Sequence, residues 1–343
     1  MAEQILPDIY RIAIPLPRSP LKAVNVYVLK GEERSLIVDT GWDQDICLRA
    51  MRSGLEETGV DLDRADFFIT HLHADHMGLL GKLIRKTTRV YLGATDAATA
   101  LSMRNGREKR IQGLIRTYLS HGFPEPELLK AVENHPGFRF GPPLPEDLQP
   151  LREGDPIEIG RFSFRCIETP GHSPGHICLY EPNRKILISG DHILADITPN
   201  ITVWPEMQDS LLKYLASLEK VCTLEVKLVL PGHRSIVNDL KGRVKALREH
   251  HGNRLDEVIR ALESGEKTAW EVAPRLTWDL DVRSWDRFPP AQKWFAMGET
   301  VAHINYLVAC GKVDGREHQG RWLFSLRGGH PVRNALKTRR PES

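Results

Sequence analysis

An α/β architecture closed by a mostly helical C-terminal segment is expected for this 343-residue chain, and three features carry the expectation. Up to about residue 235, short apolar strand patterns alternate with helix-like stretches, the order of a layered α/β fold. Several of these strand patterns run directly into loops bearing histidine or aspartate. Beyond about Asn238 the apolar periodicity becomes helical.

Residues 9–14, 24–29 and 35–38 read as strands, the last two joined through Lys30-Gly31-Glu32 as a hairpin. A helix fits residues 44–58, with apolar Ile46, Met51 and Leu55 and a stop at Gly59. Residues 67–70 form an apolar strand that runs into His71-Leu72-His73-Ala74-Asp75-His76, followed by a helix-like run to Ile84 and a strand at 90–92. Residues 94–150 break this rhythm with a basic helical stretch over 103–120, a short helix after Glu125 and a proline-rich join at 142–145, and so read as an insertion. Strands return at 162–167, 177–180 and 185–189. A helix over 211–221 and a strand at 227–230 then lead to Pro231-Gly232-His233.

In the C-terminal segment Leu255, Val258, Ile259 and Leu262 give the i, i+3, i+4, i+7 face of an amphipathic helix. A short helix around Trp270, a longer one over 290–309 and a strand at 321–326 after a glycine-marked turn complete the order of a winged helix. The expected organisation is a catalytic domain over 1–240 with a helical insertion at about 94–150, a winged-helix-like domain over 241–330, and a loose tail over 331–343.

Composition excludes several classes. With 41% hydrophobic and 27% charged residues the chain is ordinary globular protein. No stretch approaches the roughly 18 apolar residues of a membrane helix, and the N-terminus lacks the regions of a signal peptide, so a cytoplasmic protein is expected. A net charge of +2 gives no bulk electrostatic case for nucleic acid or membrane. The charge is uneven, however: from Lys241 onward there are 19 basic and 13 acidic residues. Five cysteines stand far apart without a CxxC pair, so neither a disulfide framework nor a thiolate zinc site is indicated. A metal site must then draw on the 14 histidines.

Segment 71–76 supplies three imidazoles and a carboxylate at the end of a buried strand, where α/β folds place their sites. Neutral imidazole and carboxylate suit zinc or iron, and without nearby thiolates they suit a catalytic site better than a closed structural one. In extended backbone His71 and His73 point the same way, while the turn through Asp75 and His76 folds two further ligands towards a second ion. Three more elements recur at strand ends: Thr169-Pro170-Gly171-His172-Ser173-Pro174-Gly175-His176, Ser189-Gly190-Asp191-His192 and Leu230-Pro231-Gly232-His233.

Together with Leu36-Ile37-Val38-Asp39-Thr40-Gly41, these segments resemble in order and spacing the five signature motifs of the metallo-β-lactamase superfamily, over residues 10 to 235. The resemblance implies an αβ/βα sandwich with two metal ions in the groove between its sheets. It assigns His71, His73 and His172 to the first ion, Asp75, His76 and His233 to the second, and Asp191 as a bridge, with Asp75 also the catalytic carboxylate. Asp39 and His176 are implied as supporting rather than ligating groups. His192 either faces the groove or serves a hydrogen bond. Two zinc ions are expected, with iron or manganese suited to the same donors, and a hydroxide between them is the implied nucleophile.

The TPGHSPGH and SGDHIL segments are most similar to those of glyoxalase II, the hydroxyacylglutathione hydrolases, which implies a thioester or small ester substrate. The glutathione-gripping basic helices of that group are not found here. RNA or phosphodiester cleavage and lactone or β-lactam hydrolysis remain open, as does a non-enzymatic metal-binding scaffold. The helix over 290–309 holds only Lys293 and Glu299 as formal charges, which favours packing or a homodimer over nucleic-acid docking. The basic cluster of Arg104, Arg107, Lys109, Arg110 and Arg116 is either a solvated face or a cover that attracts anionic substrates.

Overall fold

Continuous burial along residues 24–29 and 35–38 marks the interior strands of a large sheet. The computed structural model describes residues 1–141, 145, 147–280 and 284–329. Its first sheet runs β1 (Ala2–Leu6), β2 (Ile9–Pro15), β3 (Ala23–Lys30), β4 (Ser35–Val38), β5 (Ala65–Ile69), β6 (Val90–Gly93) and β7 (Leu148–Leu151), in sequence order. It is antiparallel from β1 to β4 and parallel from β4 to β7. The expected hairpin sets Lys30 opposite Ser35, and its turn is closed by Gly31 N donating to Arg34 O at 3.0 Å.

The second sheet contains β8 (Pro156–Ile159), β9 (Phe162–Glu168), β10 (Ile177–Glu181), β11 (Ile186–Gly190) and β12 (Leu228–Pro231) in the order β12-β11-β10-β9-β8. Between the sheets, Tyr27, Val38 and Phe68 meet Phe162, Phe164 and Leu179 in one core. Each such side chain contributes roughly 1.5–3 kcal/mol by leaving water. The result is the expected αβ/βα sandwich.

Helix α1 (Asp45–Glu57) lies against β2, so close that a Cβ on Gly54 would strike the Ile12 side chain. Cys47, Met51 and Leu55 face inward, whereas Ile46 is exposed, which corrects its placement on the apolar face. The helix-like run expected up to Ile84 begins inside the histidine motif and is two short helices, α2 (Ala74–Met77) and α3 (Leu80–Leu83), rather than one. Next come α4 (Ala94–Ser120), kinked at Gly106, α5 (Glu125–Asn134) and α6 (Pro136–Phe140). The stretch that breaks the α/β rhythm ends in β7, where Leu148 pairs with Val90. Then follow α7 (Ser210–Cys222), α8 (Leu240–Leu262), α9 (Ala269–Val272) and α10 (Pro290–Ala309), and the hairpin of β13 (Val313–His318) and β14 (Arg321–Leu326).

The chain divides into two compact units. The first, residues 1–106, 136–199 and 216–244, holds both large sheets. The second takes residues 107–135, 200–215 and 245 onward. In it Tyr118 stacks on Trp294 at 4.1 Å and Phe123 on Trp270 at 4.4 Å. Both formal charges of α10 are buried and paired, Lys293 with Glu127 and Glu299 with Arg254 and Asn200. Thr268 and Glu271 close a capping box on α9. Among the described residues no helix is long and apolar enough to cross a membrane. The tail over 331–343 and most of the proline-rich join lie outside the described residues.

Candidate metal centre

Loops leaving the C-terminal ends of β4 and β5 and those following β9, β11 and β12 bring the motif residues together, as open α/β sheets do with their sites. His71 Nε2 and His172 Nε2 lie 2.9 and 3.0 Å from His73 Nδ1. Three ring nitrogens this close together can converge on one ion. Asp75, His76 and His233 form a second group. In it His233 Nε2 is 3.4 Å and His76 Nε2 3.9 Å from Asp75 Oδ2. Asp191 reaches both groups: Oδ2 is 3.6 Å from His172 Nε2 and 3.4 Å from His233 Nε2, and Oδ1 is 3.6 Å from His76 Nε2. All seven residues singled out as ligands therefore stand in one cluster.

Around them, hydrogen bonds fix which nitrogen of His71, His76 and His233 faces the cluster. Asp39 adopts a left-handed backbone (φ 64°) and is buried. Its carboxylate accepts from Thr70 N at 2.9 Å and from His76 Nδ1 at 2.8 Å. His71 Nδ1 donates to Thr70 Oγ1 at 3.1 Å, and that hydroxyl in turn donates to Asp39. His233 Nδ1 donates to Ala23 O at 2.7 Å. With the Nδ1 protons so placed, the Nε2 lone pairs of His71, His76 and His233 are left for the cluster. His176 lies outside the ligand groups: its Nδ1 bonds Thr169 Oγ1 at 2.7 Å and its Nε2 accepts from Asp191 N at 3.1 Å. It thus seats the Asp191 backbone. His192 is buried beside His176, its imidazole pushed down to about 3 by burial, and it too is outside the groups.

The donor set fits a pair of cations. His76 Nε2, His233 Nε2 and Asp191 Oδ1 are buried without a hydrogen-bond partner. Leaving such atoms unmatched costs about 1–3 kcal/mol each. Burial opposes a proton on His233, yet Asp191 and Asp75 raise that imidazole to about 10, and Asp39, Asp191 and Asp75 raise His76 well above its usual range. Burial and its histidine neighbours push His73 down to about 3, leaving a neutral nitrogen donor. The carboxylates thus draw positive charge to the second group, a demand that a divalent ion meets while displacing the protons. At Gly232 a Cβ would lie 2.5 Å from Asp191 Oδ1 and 2.9 Å from His76 Cε1, so only glycine leaves room for the cluster.

Several participants were not foreseen from sequence. Asn25 Nδ2 donates to Pro231 O and Arg234 O at 2.9 Å, and Tyr27 Oη to Pro231 O at 2.9 Å, so β3 holds the His233 loop. Asp96 is fully buried and accepts from Leu72 N, Ser173 Oγ and Gly175 N. The one sign it gives in sequence is an aspartate just beyond an apolar strand.

Residues 20–233 match the family described as the metallo-beta-lactamase superfamily, and residues 255–327 match its metallo-beta-lactamase-like C-terminal domain. The chain is 27% identical over 314 residues to the probable metallo-hydrolase YqjP of Bacillus subtilis, covering 88% of this chain and 92% of the relative. It is 29% identical over 226 residues to the acyl-coenzyme A thioesterase MBLAC2 of Bos taurus, covering 61% and 72%. The crystal structure of the metallo-beta-lactamase family protein TTHA1429 from Thermus thermophilus superposes with a TM-score of 0.81 at 29% identity, covering 94% of this chain and all of that one. From its motifs, its sandwich and these matches, the chain belongs to the metallo-beta-lactamase superfamily.

Proposed function

We propose that the chain is a dinuclear metal-dependent hydrolase of thioesters or small esters. The observation that carries this is Asp191, one carboxylate within 3.6 Å of ring nitrogens in both histidine groups. His71, His73 and His172 would hold one ion, Asp75, His76 and His233 the other, and Asp191 both. Zinc suits these donors, and iron or manganese would fit the same set. Two divalent ions held there supply Lewis acidity, bringing a water's pKa near neutrality and polarising a carbonyl.

The chain's own residues do the rest. Asp39 and Thr70 lock the His76 and His71 tautomers, so the donor atoms are aligned before substrate arrives. Asp75 turns Oδ2 towards His233 and keeps 14% of its side chain open to solvent, which places it to orient the attacking water. A thioester is favoured because its thiolate, with a thiol pKa of about 8.5, departs without a general acid. MBLAC2, by its name, acts on such a bond in acyl-coenzyme A. Within this class the likeness to glyoxalase II makes a glutathione thioester one candidate beside coenzyme A. Residues 1–240, apart from 107–135 and 200–215, which fold with the second unit, would be the catalytic domain, and 241–330 a winged-helix-like domain that packs or dimerises, a role suited to a helix α10 whose charges are internally paired.

The test is thiol release by metal-replete protein from a panel of coenzyme A and glutathione thioesters, with single-stranded RNA and lactones alongside and His73→Ala as control. Metal-dependent thiol release that the variant lacks is expected. Turnover of RNA or lactones with no thiol release would overturn the thioester assignment.

A further inference from the structure

The two loops that supply the first histidine group come from different sheets: His71 and His73 follow β5, and His172 follows β9. Something must hold these loops in register before an ion can bind three imidazoles from both. Asp96, third residue of α4 and fully buried, sits between them. Its Oδ2 accepts from Leu72 N at 3.0 Å, the peptide between His71 and His73. The same oxygen accepts from Ser173 Oγ at 2.7 Å, and Oδ1 accepts from Gly175 N at 2.6 Å, both in the His172 loop. The approach is tight: a Cβ on Gly175 would collide with the Asp96 backbone nitrogen, and one on Gly93 with Gly175 O. We infer that Asp96 is a positioning residue that staples the His71–His73 and His172 loops and preorganises the first metal site, an inference that rests on the dinuclear site proposed above.

The chemistry demands a carboxylate. Each oxygen takes a backbone N–H from a different loop, so an amide in either orientation turns its NH2 against one of those N–H groups. The histidines of the second group are oriented by other partners, His76 by Asp39 and His233 by Ala23 O. Loss of the staple should therefore weaken one ion and spare the other.

The experiment is cobalt and zinc titration of the metal-free full-length chain, followed by calorimetry and by the cobalt visible spectrum. Wild type, Asp96→Asn and Ser173→Ala are each compared with and without His76→Ala, which disables the other site. Wild type should bind two ions. Asp96→Asn should lose about 10–100-fold in affinity for one of them, the usual cost of an outer hydrogen-bonding partner, with an altered cobalt spectrum. In the His76→Ala background the single remaining ion should show that whole loss. Ser173→Ala removes one donor and leaves the carboxylate, so it should give a smaller loss in the same ion and reads the effect should Asp96→Asn not fold. Unchanged affinities and spectra in the variants, or equal weakening of both ions, would overturn the staple while leaving the dinuclear site intact. A wild type that binds fewer than two ions would overturn both.

Discussion

Asp39 shows how one side chain sets the chemistry of another. Held at φ 64° beyond β4, it accepts from Thr70 N and from His76 Nδ1, so the His76 ring presents Nε2 to the cluster. Asn tolerates the left-handed backbone but offers one acceptor where two N–H donors point. Asp39→Asn should therefore cost about 10–100-fold in affinity for the second ion, read by competition with a chromophoric chelator. His73→Ala removes a donor from the first group outright and should abolish turnover while leaving the second group's ion bound, as metal analysis would show. At this scale the clustered residues were legible because their spacing is local and chemically dense: three imidazoles and a carboxylate in six residues have no packing rationale. Asp96, Asn25 and Tyr27 were not. Each is a single residue whose role exists only once distant loops meet.

Among the elements, the glycines at strand ends matter as much as the ligands. Gly190 ends β11 at φ 47°, with a hypothetical Cβ 2.7 Å from Thr70 Cβ and 2.8 Å from His176 Nε2. Gly232 faces Asp191 and His76 in the same way, and its N donates to Gly190 O at 2.8 Å. Gly232→Ala should displace Asp191 and lower metal-dependent activity by about tenfold or more, beyond what any fall in thermal stability explains, a split measured by pairing turnover with a melting curve. In the core, Phe164→Ala should cost about 3–5 kcal/mol in urea unfolding, because Phe164 packs between the sheets with no exposure. The interior strands and the long helices were legible from apolar runs and periodicity. The strands that escaped, β1, β7, β8 and β13, are all sheet edges. Two carry proline, at Pro150 and Pro156, and an edge strand needs neither a continuous apolar run nor every N–H. The run from Ala74 to Leu83 breaks into two helices as Gly78, which a Cβ would jam against Gly41 O and Asp43 N, carries the chain past the β4 loop.

For the molecule as a whole, acidity should loosen the second unit. Burial holds the His121 imidazole down at about 4 and that of His303 at about 3, against about 6.5 when unfolded. Both folded values are depressed, so the unfolded chain binds the extra protons. Stability is therefore full above about pH 6.5 and lost as pH falls towards 4, by about 1.4 kcal/mol per pH unit for each histidine. Urea unfolding read by tryptophan fluorescence reports this unit, since every tryptophan but Trp42 lies in it. Midpoints at pH 7, 6 and 5 should fall in that order, and His121→Leu should flatten the slope. The division into units was only partly legible: the helical C-terminal order is visible in the sequence, but the union of 107–135 and 200–215 with it depends on pairs such as Tyr118–Trp294, far apart in the chain. The claim that two ions in one cluster drive hydrolysis meets its most direct test in a zinc titration of the metal-free chain with thiol release from an acyl-coenzyme A followed at each step. The account predicts that release rises through the second equivalent of zinc, stops there, and is absent in His73→Ala. Full zinc occupancy without release above that variant would contradict it.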